Sequence, residues 1–166
     1  MELDQVLVVL RALDMAGVRH WLGGGWGVDV LLGRKTREHR DLDLAVDATA
    51  ETRAITALTV LGYAMATDER PTRVEFAGPA GCWVDLHPVA FDEHGNGRQV
   101  HPNGGWFEYP AESFTSAVID GRWIACLSAA QQLVFHTGYE LRPVDRHDIA
   151  LLRELVPAGT RSPGAH

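Results

Sequence analysis

The strongest constraint on the fold of this chain is residues 41–46, where carboxylates and apolar side chains alternate. Asp41 and Asp43 alternate with Leu42 and Leu44, which is the period of a half-buried β-strand. Side chains two residues apart on a strand point to the same face, about 6.6 Å apart at ~3.3 Å of rise per residue. Two carboxylates held this close repel each other unless a cation lies between them, and hard oxygen ligands suit Mg²⁺ or Mn²⁺.

A second strand pattern carries a third carboxylate. Residues 82–86 are apolar apart from Asp85, the only acid inside a strong strand pattern at a suitable distance downstream. A third acid on a neighbouring strand would complete a site for two metal ions, which stabilise the attacking and leaving oxygens in nucleotidyl transfer. The sequence therefore predicts a catalytic metal site of Asp41, Asp43 and Asp85. Asp85 is a candidate for metal ligand, general base or both, and His87 on the same strand face is a candidate to assist it.

Glycines and basic residues precede the first two aspartates. Residues 23–25 are three glycines between a predicted strand at 20–22 and a predicted helix at 26–32. Glycine lets the backbone approach a phosphate and present its N–H groups to the negative charge. The loop at 34–40 is basic and is predicted to contact phosphates through Arg34, Lys35, Arg37, His39 and Arg40. Each signal is common by itself, and their combination in this order is much more specific.

The remaining patterns predict a two-layer α+β fold, with a mixed, mostly antiparallel sheet packed on helices and followed by C-terminal helices. Further helices are predicted at residues 3–16, 49–61, from Ser128 onward and at 144–155. Further strands are predicted at residues 63–65, 73–76 and, at an edge, 121–124. Residues 92–110 are rich in Gly, Asn, His and Pro and are predicted to form a long surface loop. We expect one domain over residues 1–157 and a flexible tail at 158–166.

Composition narrows the class of function. The 166 residues carry a net charge of −7. This charge favours a soluble globular protein and argues against a nucleic-acid partner. An acidic protein that handles a triphosphate must neutralise it locally with bound cations or a few basic side chains. Cys82 and Cys126 lie in apolar runs without C-x-x-C spacing, so both are predicted to be buried and reduced. With no signal-peptide pattern and no apolar run of ~20 residues, we expect a cytoplasmic protein without a membrane partner.

The segments around these residues resemble a known family. Residues 24–31 followed by 37–43 are similar to the signature of the small antibiotic nucleotidyltransferases, most of all the short lincosamide nucleotidyltransferases, which are related to the aminoglycoside 2''-adenylyltransferases. The resemblance continues in residues 84–88, 92–95 and 131–139 and in His147-Asp148-Ile149. It covers roughly residues 15–152, and its motifs are specific at the level of the family.

The resemblance implies the nucleotidyltransferase fold of the DNA polymerase β superfamily. It implies transfer of a nucleoside monophosphate, usually AMP from ATP, to an antibiotic hydroxyl with release of pyrophosphate, and homodimers whose acceptor pocket draws on both subunits. By the resemblance, the metal ligands are Asp41, Asp43 and Asp85, and the nucleotide-binding residues are Gly24, Gly25, Arg37, His39 and Arg40. Candidates for binding the acceptor are His87, Trp106 and Tyr139.

Several alternatives stay open at this point. Residue 45 is Ala, where the lincosamide enzymes tend to carry a further acid, and residues 92–110 have a sequence of their own, so the acceptor could be an aminoglycoside, another metabolite, or a protein or tRNA end as in toxin–antitoxin nucleotidyltransferases. An iron site from His39, Asp41 and a distal histidine would leave the glycines without a role. A binding protein that has lost catalysis is disfavoured because all three carboxylates are present. The roles of His136, His147 and Asp148 are open between a solvated helix face and ligand binding.

Overall fold

The computed structural model describes residues 1–137 and 139–156. Within these residues the α-helices are Leu3–Met15 (α1), Gly24–Leu32 (α2), Glu51–Val60 (α3), Ala129–Phe135 (α4) and Pro143–Leu155 (α5). The β-strands are His20–Leu22 (β1), Asp41–Asp47 (β2), Ala64–Glu69 (β3), Arg73–Ala77 (β4), Trp83–Phe91 (β5), Gly97–Val100 (β6), Trp106–Tyr109 (β7), Phe114–Ile119 (β8) and Arg122–Leu127 (β9). The tail predicted at 158–166 lies outside the described residues.

The strands form a mixed sheet in the order β3-β4-β5-β2-β1-β9-β8, with the β6–β7 hairpin extending from β5. Strand β2 lies near the centre, where it pairs in parallel with β5 and antiparallel with β1. The predicted α+β fold with a mixed, mostly antiparallel sheet is confirmed by this architecture. No helix in the described ranges has the length and apolar character required to span a bilayer.

The alternation predicted for β2 divides the sheet into two faces. Leu42, Leu44 and Val46 are fully buried in the main core, which they share with residues of α1, α2 and α3. The opposite face carries Asp41 and Asp43, whose side chains are partly accessible. The hydrophobic effect thus anchors the leucine face to the helices, and the aspartates are left on the face that opens to solvent.

The structure corrects the prediction of a long surface loop at residues 92–110, because it shows a β-hairpin there. Strands β6 and β7 pair antiparallel, with Gln99 opposite Phe107, and the Gly, Asn and Pro residues form the turns on either side. Buried Gln99 alternates with exposed Arg98 on β6, a short pattern that the turn residues obscured. The strand predicted at an edge, β9, instead lies between β1 and β8, and β8 was not predicted.

Candidate active site

The parallel pairing of β2 and β5 brings two of the three predicted carboxylates side by side. Asp43 and Asp85 are direct partners in the register. Ligand atoms of Asp43, Asp85 and His87 all lie within 4.8 Å of one another. Asp41 lines the same cleft but is not a member of this compact group, and its Oδ2 lies 3.3 Å from a guanidinium nitrogen of Arg40. The structure therefore contains a possible metal-binding group, and its third close member is His87 rather than Asp41.

The two paired carboxylates have opposite pKa shifts. Burial, together with the negative charge of Asp43, raises the pKa of Asp85 to about 7. Burial also raises the pKa of Asp43, but the contact with His87 and the positive charges of Arg37 and Arg73 together lower it by more, so the pKa of Asp43 lies below its usual range. Near neutral pH Asp85 therefore interconverts between its protonated and ionised forms, while Asp43 stays ionised. A carboxyl group poised near pH 7 is suited to general-base chemistry.

The glycine turn packs directly against the carboxylates. The backbone N–H of Gly23 donates to the carbonyl of Asp43 at 2.9 Å, and Gly24 has a φ of +53°. A Cβ atom on Gly24 would lie 2.0 Å from Oδ2 of Asp43, and one on Gly25 would lie 2.4 Å from a guanidinium nitrogen of Arg37. Only glycine allows this close approach, which leaves the N-terminus of α2 open toward the cleft.

His39 does not lie where the sequence placed it. Its side chain is 2% exposed, and its Nε2 lies 2.6 Å from Oδ2 of Asp29, a fully buried residue of α2. Asp29 also accepts hydrogen bonds from the backbone N–H and the hydroxyl of Thr36. His39 therefore packs beneath the glycine turn, where an added Cβ on Gly25 would lie 2.5 Å from its Nδ1. The same placement disfavours His39 as an iron ligand beside Asp41, because its side chain is buried and its Nε2 is paired with Asp29.

Three of the four arginines of the cleft contact acids of α5 or an aromatic ring. Arg37 makes a bidentate pair with Asp148, at 3.0 and 2.7 Å. Arg142 makes a similar pair with Asp145, at 2.9 and 3.0 Å. Arg40 lies over the ring of Trp83, 5.3 Å from its centroid. These pairs hold the guanidinium groups in fixed positions at the rim of the cleft.

Two cavities meet at the carboxylates. The first, which we call the carboxylate cleft, has a volume of about 560 Å³ and contains Asp41, Asp43 and Asp85. The second, which we call the aromatic cavity, has a volume of about 550 Å³ and is bounded by the β6–β7 hairpin and α4. Residues that line both cavities are Gly24, Asp43, Arg73, His136, Arg142 and Asp145. A molecule in either cavity would therefore reach Asp43.

The structure places the three residues predicted to bind the acceptor in different surroundings. His87 and Tyr139 line the aromatic cavity, whereas Trp106 is 55% exposed and is not among the residues that line it. The side chain of Trp106 alternates with Phe107, which does line the cavity. Among the C-terminal residues, His136 lines both cavities, while His147 is exposed and lines neither of them.

Some site residues escaped the sequence-based prediction. Arg142 and Gln99 line the cavities but lie in segments without a distinctive motif. Asp29 had a usable signal, since it is the one acid inside the apolar stretch of residues 26–32. A charged residue in such a position is rarely buried without a partner. That partner, His39, could be identified only from the fold.

The cleft fits a divalent cation. Seven carboxylates and four arginines line it, so a triphosphate would meet an excess of negative charge. The close oxygen atoms of Asp43 and Asp85 are the ligand type that Mg²⁺ and Mn²⁺ prefer. The negative charge of Asp43 contributes to the raised pKa of Asp85. A cation between the two carboxylates would relieve this repulsion.

Metal binding should depend on pH through Asp85. Because its pKa is about 7 and a ligand must lose its proton, the apparent affinity for Mn²⁺ should weaken about tenfold for each pH unit below about 7 and level off above it. Electron paramagnetic resonance of free Mn²⁺ would measure this. Asp85→Asn should bind more weakly and lose the pH dependence in that window, and equal wild-type affinities at about pH 6 and 8 would contradict the assignment.

The fold and the site together define a nucleotidyltransferase. The model of the aminoglycoside-2''-adenylyltransferase family matches residues 5–152. The chain therefore belongs to this family of antibiotic nucleotidyltransferases, as the sequence resemblance predicted.

Individual proteins that are similar to this chain are consistent with this family assignment. The chain is 34% identical to a lincosamide resistance protein of Staphylococcus haemolyticus over 152 residues, which cover 92% of this chain and 94% of that protein. It is similar to the lincomycin-bound crystal structure of the lincosamide antibiotic adenylyltransferase LnuA, with 33% identity, a TM-score of 0.85 and coverage of 94% of this chain and 99% of that one. ANT(2")-Ia in complex with adenylyl-2"-tobramycin shares the fold, with a TM-score of 0.74 and 23% identity over 93% of this chain and 89% of that one.

Proposed function

We propose that this enzyme transfers AMP from ATP to a hydroxyl group of a lincosamide and releases pyrophosphate. The observation that carries the proposal is the meeting of the carboxylate cleft and the aromatic cavity at Asp43, which would place a nucleotide and an acceptor on opposite sides of one carboxylate. The lincosamide relatives, which match this chain over nearly its whole length, support the choice of acceptor.

The carboxylate cleft is the proposed nucleotide site. The triphosphate would lie against Gly24 and Gly25 at the N-terminus of α2, where backbone N–H groups favour negative charge. Arg37 and Arg40 line the cleft and would contact the phosphates, with Arg37 held in place by Asp148. Asp41, Asp43 and Asp85 would hold two Mg²⁺ or Mn²⁺ ions, which when bound neutralise the triphosphate and stabilise the leaving pyrophosphate.

Asp85 is the proposed general base as well as a ligand. Its pKa of about 7 lets it accept a proton at neutral pH. The proton would come from the acceptor hydroxyl as the hydroxyl oxygen attacks the α-phosphorus, and the bond from that phosphorus to the bridging oxygen of the pyrophosphate would break. Asp43, ionised and shared by both cavities, would hold the reacting groups in line.

The shape and chemistry of the aromatic cavity favour a lincosamide. Phe107, Tyr109 and Phe135 form an apolar wall in which the ring of Phe135 packs edge-on against Phe107. The side chains of His87 and Gln99 add polar groups to the lining of the same cavity. Lincosamides combine a hydroxylated sugar with an apolar substituted ring, so such a molecule would place its apolar part on the aromatic wall and its hydroxyl groups toward Asp43.

An aminoglycoside is the second candidate acceptor. Glu69 and Asp145 line the aromatic cavity and would attract a cationic ligand, as would the overall charge of −7. Both acids are paired with arginines, Glu69 with Arg73 and Asp145 with Arg142, which reduces the free negative charge. The lincosamide is therefore preferred.

We further propose a cytoplasmic homodimer, for which the exposed Trp123 in a groove beside α1 offers a contact surface.

Mass spectrometry of acceptors after reaction tests the proposal directly. The chain is incubated with ATP and Mg²⁺ and with either lincomycin or tobramycin, and the acceptor should gain the mass of one adenylyl group only in the lincomycin reaction. Pyrophosphate should form in equal amount, and GTP or CTP should replace ATP less well. Transfer to tobramycin alone would make the enzyme an aminoglycoside nucleotidyltransferase, and transfer to neither would overturn an antibiotic acceptor.

A further inference from the structure

A series of hydrogen bonds connects the wall of the aromatic cavity to the catalytic carboxylate. Gln99 on β6 is 4% exposed, and its Oε1 accepts a hydrogen bond from the hydroxyl of Tyr109. Its Nε2 lies 3.0 Å from the carbonyl oxygen of Thr72 and 3.1 Å from Nδ1 of His87. The other ring nitrogen of His87, Nε2, faces Oδ1 of Asp43 at 3.5 Å.

The surroundings of Gln99 determine which end of its amide faces His87. The oxygen and nitrogen of an amide look alike in shape, so the assignment must come from the hydrogen-bonding partners. The carbonyl of Thr72 can only accept, and the amide atom facing it must therefore be the NH₂ group. Burial raises the pKa of Tyr109, so its hydroxyl keeps its proton and can donate to the amide oxygen on the other side.

This orientation determines the tautomer of His87. The NH₂ group of Gln99 can only donate, so Nδ1 of His87 must accept and carry no proton. In the neutral ring the proton is then on Nε2, the atom that faces Asp43. For Nε2 to bind a metal ion, the proton would have to move to Nδ1. Two donors would then face each other at 3.1 Å, and the hydrogen bond from Gln99 would be lost.

We propose that Gln99 fixes the neutral ring of His87 as an Nε2–H donor to Asp43, so that His87 orients this carboxylate and stays outside the metal coordination shell. Gln99 and His87 are thus positioning residues. The metal shell is left to carboxylate oxygens, although the ligand atoms of His87 lie close enough to join it. The role of Asp43 as a ligand rests on the proposed function, whereas the tautomer of His87 rests only on the hydrogen bonds around Gln99.

Nuclear magnetic resonance of the ¹⁵N-histidine-labelled full chain tests the tautomer, because protonated and unprotonated ring nitrogens have distinct ¹⁵N shifts. At a pH where the ring is neutral, His87 should show its proton on Nε2, and the resonances are assigned by their loss in His87→Gln. His20 is an internal control of opposite sign, since its Nδ1 lies 2.9 Å from the carbonyl of Val18 and must carry the proton. Addition of Mg²⁺ should shift the His87 resonances without removing the Nε2 proton.

Two variants separate the parts of the network. Gln99→Met removes the amide at similar volume and should leave His87 as a mixture of tautomers, with His20 unchanged as evidence of folding. Tyr109→Phe should preserve the tautomer, because the carbonyl of Thr72 still orients the amide. A proton on Nδ1 of His87 in the wild type, an unchanged tautomer in Gln99→Met, or loss of the Nε2 proton on adding Mg²⁺ would each overturn the proposal.

Kinetics supply an independent readout. His87→Leu should lower kcat by roughly 10–100-fold, the usual effect of losing a group that orients a metal ligand, with little change in KM for ATP. His87→Gln can still present an N–H group toward Asp43 and should recover part of that loss. Equal activity in both variants would refute orientation through a donor. The resonance experiment uses neither ATP nor an acceptor, so a failure of the proposed function would leave its result intact.

Discussion

Replacing Asp43 with Asn is expected to lower turnover by at least ~10³-fold, or about 4 kcal/mol in the activation barrier. Asp43 pairs with Asp85 across the two central strands and lines both cavities. An amide in its place removes a charge that the cation needs and leaves the local packing nearly unchanged. Steady-state formation of the adenylylated acceptor measures the effect, and thermal unfolding verifies that the variant is folded.

Asp47→Asn provides the matched control for this substitution. Asp47 lies on the same strand, four residues from Asp43, where it pairs with Arg19 and accepts hydrogen bonds from Thr49. Asn at this position can still accept the hydrogen bond that begins the following turn. The control should therefore keep full activity. Wild-type turnover in Asp43→Asn, or an equal loss in Asp47→Asn, would refute the assignment of the site.

Replacing Gly24 with Ala should lower activity by at least ~10²-fold, because a displacement of catalytic groups by about 1 Å can have that cost. The added Cβ would lie 2.0 Å from Oδ2, 2.8 Å from Cγ and 3.2 Å from Cβ of Asp43, so the carboxylate must rotate away from its partner Asp85. The positive φ of Gly24 adds backbone strain. Turnover and Mn²⁺ affinity should both fall.

Gly17→Ala separates the backbone strain from the collision with Asp43. Gly17 has a φ of +64°, close to that of Gly24, but nothing lies within 4 Å of an added Cβ. Both variants should lose roughly 1 kcal/mol of stability from an alanine in the left-handed region, and only Gly24→Ala should also lose Mn²⁺ affinity. If Gly17→Ala loses as much activity, or Gly24→Ala binds Mn²⁺ normally, the steric explanation is wrong.

Local patterns were sufficient to predict much of the fold. The alternation at residues 41–46 predicted β2 and the face that carries its aspartates, because a strand has a fixed period of two. Gly33, with a φ of +69°, ends α2 as predicted, and the hydroxyl of Ser128 accepts from the backbone of Gln131 at the start of α4. These features depend on neighbours within four residues, which the sequence contains.

Predictions of side-chain environment were less successful. The sequence predicted that His39 contacts a phosphate and that Trp106 contacts the acceptor. In the structure His39 is buried against Asp29, and Trp106 lies outside the aromatic cavity. Burial depends on what packs above a segment, and this is not encoded in the residue types nearby. The β6–β7 hairpin was missed for a related reason, because its two short strands are stabilised by each other and by β5.

The sequence by itself determined which carboxylates face the same way, where a glycine turn precedes them and to which family the chain belongs. The tertiary structure alone decided that Asp43 lies beside Asp85, that the ring of His87 lies between Asp43 and Gln99, and that Arg37 is held by Asp148, 111 residues farther along the chain. The physical reason is that metal binding and charge pairing act over a few ångströms in space. Distances of that kind follow from the pairing of strands and the packing of helices, which no local pattern specifies.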